Sequence, residues 1–437
     1  MERRKHVQGA IGSGVMVLPC APHALRNNDV HYGYRQDSDL YYLTGFDEPE
    51  AVLVLSSAEK PRATLFLRPR DPEREVWDGA RAGVEGALRD FGVDQAFPIS
   101  ELGWRLPDLL AGHERLYYHI GRYPEFDQQL IRALSAVRAK ARRGVTFPTE
   151  IIDVDRVVHE LRRVKTQGEV TAMLRAADIT AKAHRAAMAA ARPGAYEYEL
   201  EAVLRGVFTR YGSARVAYEP IVGSGPNATV LHHVLNNRQM QDGELVLIDA
   251  GCEYDYYAAD VTRTFPVSGV FSPAQRDLYQ LVLAAQERAI ARTMSGNSVD
   301  AIHDETVREL SQGMIDVGLL KGSLNEILEK KSFQRYYMHR TSHYLGMDVH
   351  DVGSYYQDGK SRALEPGVVI TIEPGLYVNQ NDEAAPAHFR GIGIRIEDDV
   401  LVTGAEPLVL SAAVPKSIAD VEQACGDKSA MSALASA

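Results

Sequence analysis

Residues 245–251 limit the fold more than any other part of the sequence. Their continuous apolar run predicts a strand that is buried on both faces, yet Asp249 stands at its end. A lone carboxylate in such surroundings is unfavourable unless it has a partner. A second strand-like run, residues 258–266, carries Asp260 near its start. We therefore expect the two runs to pair and to bring the two aspartates together.

A hairpin between the two runs would turn around Tyr254 and Asp255. That register makes Asp249 and Asp260 direct cross-strand partners, with their Cβ atoms about 5 Å apart on one face. Two like charges at this distance repel, and either a bound cation or the protonation of one carboxyl removes the repulsion. The alternative is two unrelated surface aspartates, which the apolar neighbours of Asp249 disfavour.

Three histidines, His339, His343 and His350, lie close together in the sequence. The spacing of the first two resembles that of a zinc-binding helix, but the glutamate that follows the first histidine in such helices is missing. A single histidine of this kind is more often structural than a metal ligand. The clustering favours a functional role for this segment, but it does not indicate which of the three histidines has that role.

Two later runs alternate between apolar and polar residues, which is typical of strands with one polar face. In residues 369–375 the polar face ends with Glu373, and in residues 391–399 it carries Arg395 and Glu397. Each run by itself is more typical of an ordinary half-exposed sheet than of a binding site.

The combination of these features predicts a metal site. Two aspartates, two glutamates and one histidine on strand ends suit manganese, or cobalt, iron or zinc, better than a thiolate zinc site does. Four carboxylates are more than one divalent ion needs, so we expect two ions. Such a pair can activate a water and hold a substrate carbonyl oxygen.

The composition excludes other classes of protein. The 437 residues suggest two domains, and the net charge of −11 argues against a nucleic-acid binder. No apolar run approaches transmembrane length. Cys20, Cys252 and Cys425 can form no disulfide framework and include no C-x-x-C pair. We therefore expect a cytoplasmic protein that binds neither nucleic acid nor membranes.

Local signals predict an α/β (α+β) fold with two domains, residues 1–164 and 165–437. Thr166 and Glu169 form a capping-box pattern that predicts a long helix, and Ser272 with Gln275 predicts another helix start. The last dozen residues, which are rich in Ser and Ala, are predicted to be frayed. Apolar runs predict strands at residues 15–18, 51–55 and 63–67, and periodicity predicts a helix at 196–211.

Taken together, these motifs resemble aminopeptidase P, the Xaa-Pro aminopeptidases of the pita-bread metallopeptidase family. The likeness extends over almost the full length and includes all five candidate ligands in order. It implies a C-terminal pita-bread catalytic domain and a smaller mixed α/β N-terminal domain. The matching segments are residues 36–46, 221–225, 231–232, 247–251, 260–266, 343, 348–353, 373–377 and 391–399.

The resemblance implies a role for each candidate ligand. Asp249 would bind one metal, Asp260 and Glu397 would bridge both, and His343 and Glu373 would complete the second. A hydroxide that bridges the two metals would attack the carbonyl of the Xaa-Pro bond, while Glu373 moves its proton. The substrates would be peptides with proline at the second position.

The resemblance also implies catalytic or substrate-binding roles around the metals. His232 and His350 match positions near the scissile bond, where donors can stabilise a developing oxyanion. His339 matches a residue near the proline ring, and Tyr377 belongs to the same substrate-binding group. Arg395 shares a strand face with Glu397 and would orient a ligand carboxylate.

The oligomeric state is implied by the resemblance alone, whereas the oxygen-rich ligand set already favours manganese. Trp77 is similar to an N-terminal-domain tryptophan that reaches a neighbouring subunit's active site in tetrameric bacterial enzymes. We therefore expect a homo-oligomer, a dimer or tetramer, with manganese as the metal. Two departures from the family pattern affect subsites: Arg340-Thr341 replace small or apolar residues, and His233 follows His232 where an aromatic is more familiar.

Four kinds of protein with the same fold are alternatives at this point, and one of them, methionine aminopeptidase, is disfavoured because it lacks a large N-terminal domain of this kind. A Xaa-Pro dipeptidase of the same fold shares the five ligands, but the match to the N-terminal domain favours aminopeptidase P. A non-catalytic pita-bread binding module is disfavoured because such modules have lost ligands, and creatinase-like enzymes are disfavoured because they lack metals.

Overall fold

The computed structural model describes residues 2–58 and 61–435. The chain divides into two compact units, Met1–Leu161 and Arg162–Ala437. Among the described residues, none of the helices combines the length and the hydropathy that a bilayer span requires.

A six-stranded mixed sheet forms the centre of the N-terminal unit. Its strands and those of a short hairpin are β1 Gly14–Pro19, β2 Leu25–Asn27, β3 Val30–His31, β4 Val52–Ser56, β5 Ala63–Leu67, β6 Gln95–Pro98, β7 Arg115–Tyr117 and β8 Glu150–Ile152. The order in the sheet is β6-β5-β4-β1-β7-β8. The strands predicted from apolar runs are confirmed as β1, β4 and β5, which are almost entirely buried.

Helices pack around this sheet because their apolar faces need cover. Leu106, Leu110 and Leu130 belong to the same core as Val17 and Phe66 of the strands. The helices are α1 Glu2–Ala10, α2 Ser38–Thr44, α3 Pro72–Asp78, α4 Gly83–Asp90, α5 Leu102–Leu110, α6 Pro124–Arg138 and α7 Val158–Arg163, within which the division falls.

The long helix predicted from the capping box begins the C-terminal unit. Thr166 and Glu169 cap each other, and the helix ends before Pro193. Ser272 and Gln275 form a second capping box. The helices are α8 Gln167–Ala190, α9 Glu197–Arg210, α10 Pro273–Ala291, α11 Val299–Asp316, α12 Leu324–Glu329, α13 Ile418–Gly426 and α14 Ser432–Ala435.

Small sheets lie against these helices and supply the site. The strands are β9 Arg215–Val216, β10 Ile221–Ser224, β11 Leu245–Asp249, β12 Cys252–Tyr254, β13 Tyr257–Ala258, β14 Thr262–Pro266, β15 Tyr356–Gln357, β16 Lys360–Ser361, β17 Val369–Ile372, β18 Gly375–Tyr377, β19 Gly393–Arg395, β20 Asp398–Leu401 and β21 Leu408–Val409. Three sheets matter for the site, with the orders β10-β11-β14, β17-β20-β21 and β18-β19. Every residue of β11 is buried, so both of its faces are covered, which explains its continuous apolar run.

The C-terminal tail is ordered, which the sequence-based prediction did not anticipate. Lys428 donates to the carbonyl of Ala189 at 2.6 Å, and Arg210 donates to the carbonyl of Leu434 at 3.3 Å. The prediction of a frayed end is therefore wrong as far as residue 435. Its last two residues, 436–437, lie outside the described part of the chain.

Candidate metal centre

Two adjacent strands present the two aspartates. Asp249 ends β11, and Asp260 lies just before β14. The register pairs Asp249 with Thr262, so the prediction that Asp249 opposes Asp260 is wrong by two residues. The reason is that the turn falls on Asp255 and Tyr256, one residue later than expected. A shift of two residues keeps the alternation of faces, and both aspartates still line one cavity.

Tyr218 contacts both aspartates, and no local sequence pattern indicated this contact. Its hydroxyl lies within hydrogen-bond distance of both Asp249 and Asp260. Burial and the neighbouring carboxylates raise the pKa of Tyr218 well above its ordinary value, so the hydroxyl keeps its proton. Tyr218 follows β9 in a connecting segment, where no periodic pattern distinguishes a functional tyrosine from a structural one.

His343 is the histidine that meets the carboxylates. Its Nε2 atom lies 3.4 Å from Asp260 Oδ2 and 3.5 Å from Glu373 Oε1. Its Nδ1 atom donates to the carbonyl of Tyr344 at 3.0 Å, which orients Nε2 toward the cluster. Potential ligand atoms of Asp260, His343 and Glu397 all lie within 4.8 Å of one another.

A buried network holds the remaining carboxylates. Arg395, on β19, donates to Asp249 Oδ2 at 2.6 Å, to the Tyr377 hydroxyl at 3.0 Å and to Thr262 Oγ1 at 3.0 Å. Thr262 in turn donates to Glu397 Oε2 at 2.7 Å. The expected half-exposed sheet is absent here, because both faces of the strands that carry Arg395 and flank Glu397 are buried.

The electrostatics of the cluster fit bound cations. Burial raises the pKa of Glu373 to about 7, against the charges of His343 and Arg395. Burial and then Asp260 raise the pKa of Glu397 well above its ordinary value. Burial opposes a charge on His343, but Asp260 and Glu373 still raise its pKa to about 9. Among the described residues, the buried Asp249, Asp260 and Glu397 and the partly exposed Glu373 have one guanidinium and one imidazole as charged partners in this cluster, and divalent cations would balance the excess negative charge.

The cluster lies in a cavity of about 1000 Å³ in the C-terminal unit. His339 Nε2 lies 2.8 Å from the Tyr377 hydroxyl, and burial lowers the pKa of His339 to about 3. The His350 ring meets the His343 ring edge to face at 4.5 Å. The predicted residues that line the cavity are Asp249, Asp260, His343, Glu373, Glu397, His232, His339, His350 and Arg395.

The two departures from the family pattern have separate surroundings. Arg340 lines the cavity and forms an ion pair with Asp300. His233 contacts the buried carboxylate of Glu197 instead. Trp77 lies on α3 of the N-terminal unit, where it is 84% exposed.

A second group of possible ligands, His119, Asp153 and Asp155, lies in the N-terminal unit. The three side chains are 35%, 44% and 47% exposed. Acidic side chains with this much exposure are common without a bound cation. We therefore assign no metal to this group.

Known proteins match this chain over both units. The model of metallopeptidase family M24 matches residues 171–404, and the model of the aminopeptidase P N-terminal domain matches residues 1–118. The Xaa-Pro aminopeptidase of Haemophilus influenzae is 45% identical over 91% of this chain and 90% of its own length. That of Escherichia coli is 44% identical over 94% of this chain and 93% of its own.

Solved structures agree with these matches. Aminopeptidase PepP of Pseudomonas aeruginosa superposes with a TM-score of 0.96 at 44% identity, over 98% of this chain and 97% of that one. Zinc-substituted aminopeptidase P of Escherichia coli, in complex with product, gives a TM-score of 0.93 at 42% identity, over 98% of each chain. The expected α/β architecture, a pita-bread catalytic domain preceded by an aminopeptidase P N-terminal domain, is thereby confirmed, and the chain belongs to metallopeptidase family M24.

Proposed function

We propose that this chain releases the N-terminal residue from peptides with proline at the second position, by hydrolysing the Xaa-Pro bond. One observation carries the proposal: two aspartates, two glutamates and one histidine meet in a single cavity. They do so in a chain that resembles Xaa-Pro aminopeptidases over nearly its whole length.

The five ligand candidates would hold two divalent metal ions. Asp249 would hold one ion, Asp260 and Glu397 would be shared by both, and His343 and Glu373 would complete the second. The contact of Tyr218 with both aspartates and the orientation of His343 Nε2 support this assignment. When bound, such a pair polarises a carbonyl oxygen and lowers the pKa of a water molecule.

Glu373 is the proton carrier in this proposal. Hydrolysis adds a hydroxyl to the scissile carbonyl carbon and a proton to the proline nitrogen. A carboxylate oxygen of Glu373 accepts the proton of the attacking water and returns it to that nitrogen, because a secondary amine leaves readily only when it is protonated. The position of Glu373 supports this role, since it lines the cavity beside His343.

The side chains around the carboxylates bind and orient the peptide. His232 and His350 line the cavity as donors for the scissile carbonyl and the substrate ends. His339 contacts the proline ring, Tyr377 supports it through the hydrogen bond with His339 Nε2, and the lowered pKa of His339 keeps its ring neutral. Arg395 holds Asp249 in place.

The proposal extends to the metal, the assembly and the location. Manganese is the expected metal because oxygen ligands dominate the site. The exposure of Trp77 supports a homo-oligomer, a dimer or tetramer, in which this side chain reaches the active site of a neighbouring subunit. The three free cysteines support a reducing, cytoplasmic location.

Metal analysis combined with a peptide-length series tests the proposal. We expect the purified protein to bind about two divalent ions per chain. Arg-Pro-Pro and longer peptides should be cleaved, whereas the same peptides with alanine at the second position should be cleaved far more slowly. Exhaustive chelation should remove the activity, and manganese should restore it best.

Two results would contradict different parts of the proposal. Activity that survives exhaustive chelation would exclude the metal mechanism. Cleavage of Arg-Pro but not of Arg-Pro-Pro would instead identify the chain as a Xaa-Pro dipeptidase.

A further inference from the structure

A carboxylate outside the metal cluster organises the segment that carries His232. Glu197, the first residue of α9, is fully buried. Its Oε1 atom accepts from the backbone nitrogen of Ser224 at 2.7 Å, from the Ser224 hydroxyl at 2.8 Å and from Asn227 Nδ2 at 3.0 Å. Its Oε2 atom accepts from the backbone nitrogen of Arg238 at 3.0 Å and from His233 Nε2 at 3.1 Å.

These partners lie on both sides of His232 in the sequence. Ser224 and Asn227 precede it, and His233 and Arg238 follow it. The Glu197 carboxylate therefore binds both ends of the segment 224–238. His232 itself makes none of these contacts and lines the catalytic cavity. The neighbour His233 is 10% exposed and reaches the buried carboxylate.

A second anchor holds the end of the same segment. Asn236 is 1% exposed and adopts a positive φ of 47°. Its side chain accepts from the backbone nitrogen of Val222 at 3.0 Å and donates to the Pro220 carbonyl and to Glu201, each at 2.8 Å. Between the anchors, Val230, Val234 and Leu235 are exposed. Ala228 and Leu231 pack against a small apolar cluster, and from His232 onward the segment is held mainly by polar contacts.

The charge state of Glu197 strengthens its contact with His233. Burial opposes ionisation, but hydrogen bonds from Ser224, Arg238 and Asn227 still lower the pKa of Glu197. An ionised carboxylate selects the form of His233 in which Nε2 carries a proton. Hydrogen bonds to an ionised acceptor are stronger and more directional than neutral ones.

We infer that Glu197, through its hydrogen bond with His233, is a positioning residue for His232 in the catalytic cavity. The inference rests on the proposed function, in which His232 contacts the scissile bond. A displacement of about 1 Å in a catalytic side chain can lower the rate of reaction by about 100-fold. The contact between His233 and Glu197 can therefore affect kcat by fixing the position of the adjacent His232.

A double-mutant cycle separates positioning from general stability. We expect His233→Ala to lower kcat for Arg-Pro-Pro by about 10- to 100-fold, with a smaller change in KM. In a His232→Ala background the same substitution should have no further effect on kcat, because the residue it positions is gone. Glu197→Gln should lower kcat in the wild type, and its effect should also disappear in the His232→Ala background.

Glu199→Gln is the matched control on the same helix. Glu199 caps the backbone of Tyr196 and pairs with Arg192, and it does not contact residues 224–238. We expect this variant to lower the thermal midpoint slightly and to leave kcat unchanged. Circular dichroism verifies that each variant is folded, and metal analysis verifies that it has bound its metal ions. Because His233 lies at the edge of the cluster, we expect the fold to tolerate its substitution better than that of Glu197.

The outcomes distinguish the inference from the proposed function. A His233→Ala variant with wild-type kcat would overturn the inference, as would equal losses in both backgrounds, which indicate a structural role. A wild-type protein without activity on any Xaa-Pro peptide would overturn the proposed function, and the inference with it.

Discussion

Tyr218 shows how a single hydroxyl can organise a metal site. It meets Asp249 and Asp260, and Arg395 meets Asp249 from another direction. Partners of this kind fix the orientation of ligand carboxylates, and their loss weakens metal binding. The two aspartates therefore depend on neighbours that lie far from them in the sequence.

We expect Tyr218→Phe to weaken metal binding by about 10- to 100-fold, because the ring is kept while the hydroxyl is lost. Calorimetric titration of the metal-free protein with manganese measures the change in affinity. Tyr254→Phe is a suitable control, since Tyr254 pairs with Tyr257 in the nearby hairpin and is outside the cavity lining. Unchanged affinity in Tyr218→Phe would exclude the hydroxyl from the site.

Residues differ in how far the sequence predicts them. Asp249 was predictable because a carboxylate at the end of a buried strand needs a partner. Glu373 and His343 were selected only through the family resemblance, since alternation and histidine spacing fit ordinary sheets and loops as well. Tyr218 was missed because a contact between distant segments leaves no local pattern.

At the scale of elements, signals that act within a few residues were the most reliable. The capping boxes at Thr166 and Ser272 began helices as predicted, because cap and helix are adjacent in the chain. The predicted register of the hairpin was wrong because the turn residues, Asp255 and Tyr256, both have positive φ. Such turns favour Asn-Gly or Asp-Gly, so Asp-Tyr gave no clear centre.

Gly251 lets the two strands of the site approach each other. A Cβ at this position would lie 1.7 Å from the carbonyl oxygen of Ala259 and 3.2 Å from the nitrogen of Asp260. Backbone atoms cannot yield as a flexible side chain can, so a larger residue would move the segment that carries Asp260. The absence of a side chain at Gly251 therefore allows the close approach that sets the distance between Asp249 and Asp260.

We therefore expect Gly251→Ala to lower the free energy of unfolding by about 3 kcal/mol and to weaken metal binding. Thermal unfolding and metal titration measure the two effects. Gly168→Ala, on α8, is the control, because a Cβ there would meet no atom within 4 Å. Wild-type stability and affinity in Gly251→Ala would show that the backbone relaxes without displacing Asp260.

At the scale of the whole molecule, the architecture followed from the order of motifs along the chain, while long-range packing did not. The tail illustrates the difference. Its Ser- and Ala-rich composition predicted fraying, but Leu434 packs against the core beside α8 and α9. Composition describes the local preference of a segment, and it contains no information about a surface that other helices provide.

Buried histidines make the stability of the molecule depend on pH. His184, on α8, is fully buried, its Nε2 atom lies 3.0 Å from the carbonyl of Ala250, and burial lowers its pKa to about 4. In the unfolded chain a histidine has a pKa near 6.5, so between these values only the unfolded state takes up the proton. The contribution of neutral His184 is fully present above pH 6.5 and is lost as the pH falls toward 4, by about 3 kcal/mol in total.

We expect His184→Gln, whose amide can still donate to Ala250, to flatten the fall in unfolding free energy between pH 6.5 and pH 4. Chemical denaturation at fixed metal concentration across this range measures the slope for both proteins. His388→Gln, which changes an exposed histidine of the same unit, should follow the wild-type curve. If His184→Gln and the wild type have the same slope, His184 does not link proton uptake to unfolding, and other groups must account for the acid sensitivity of the fold.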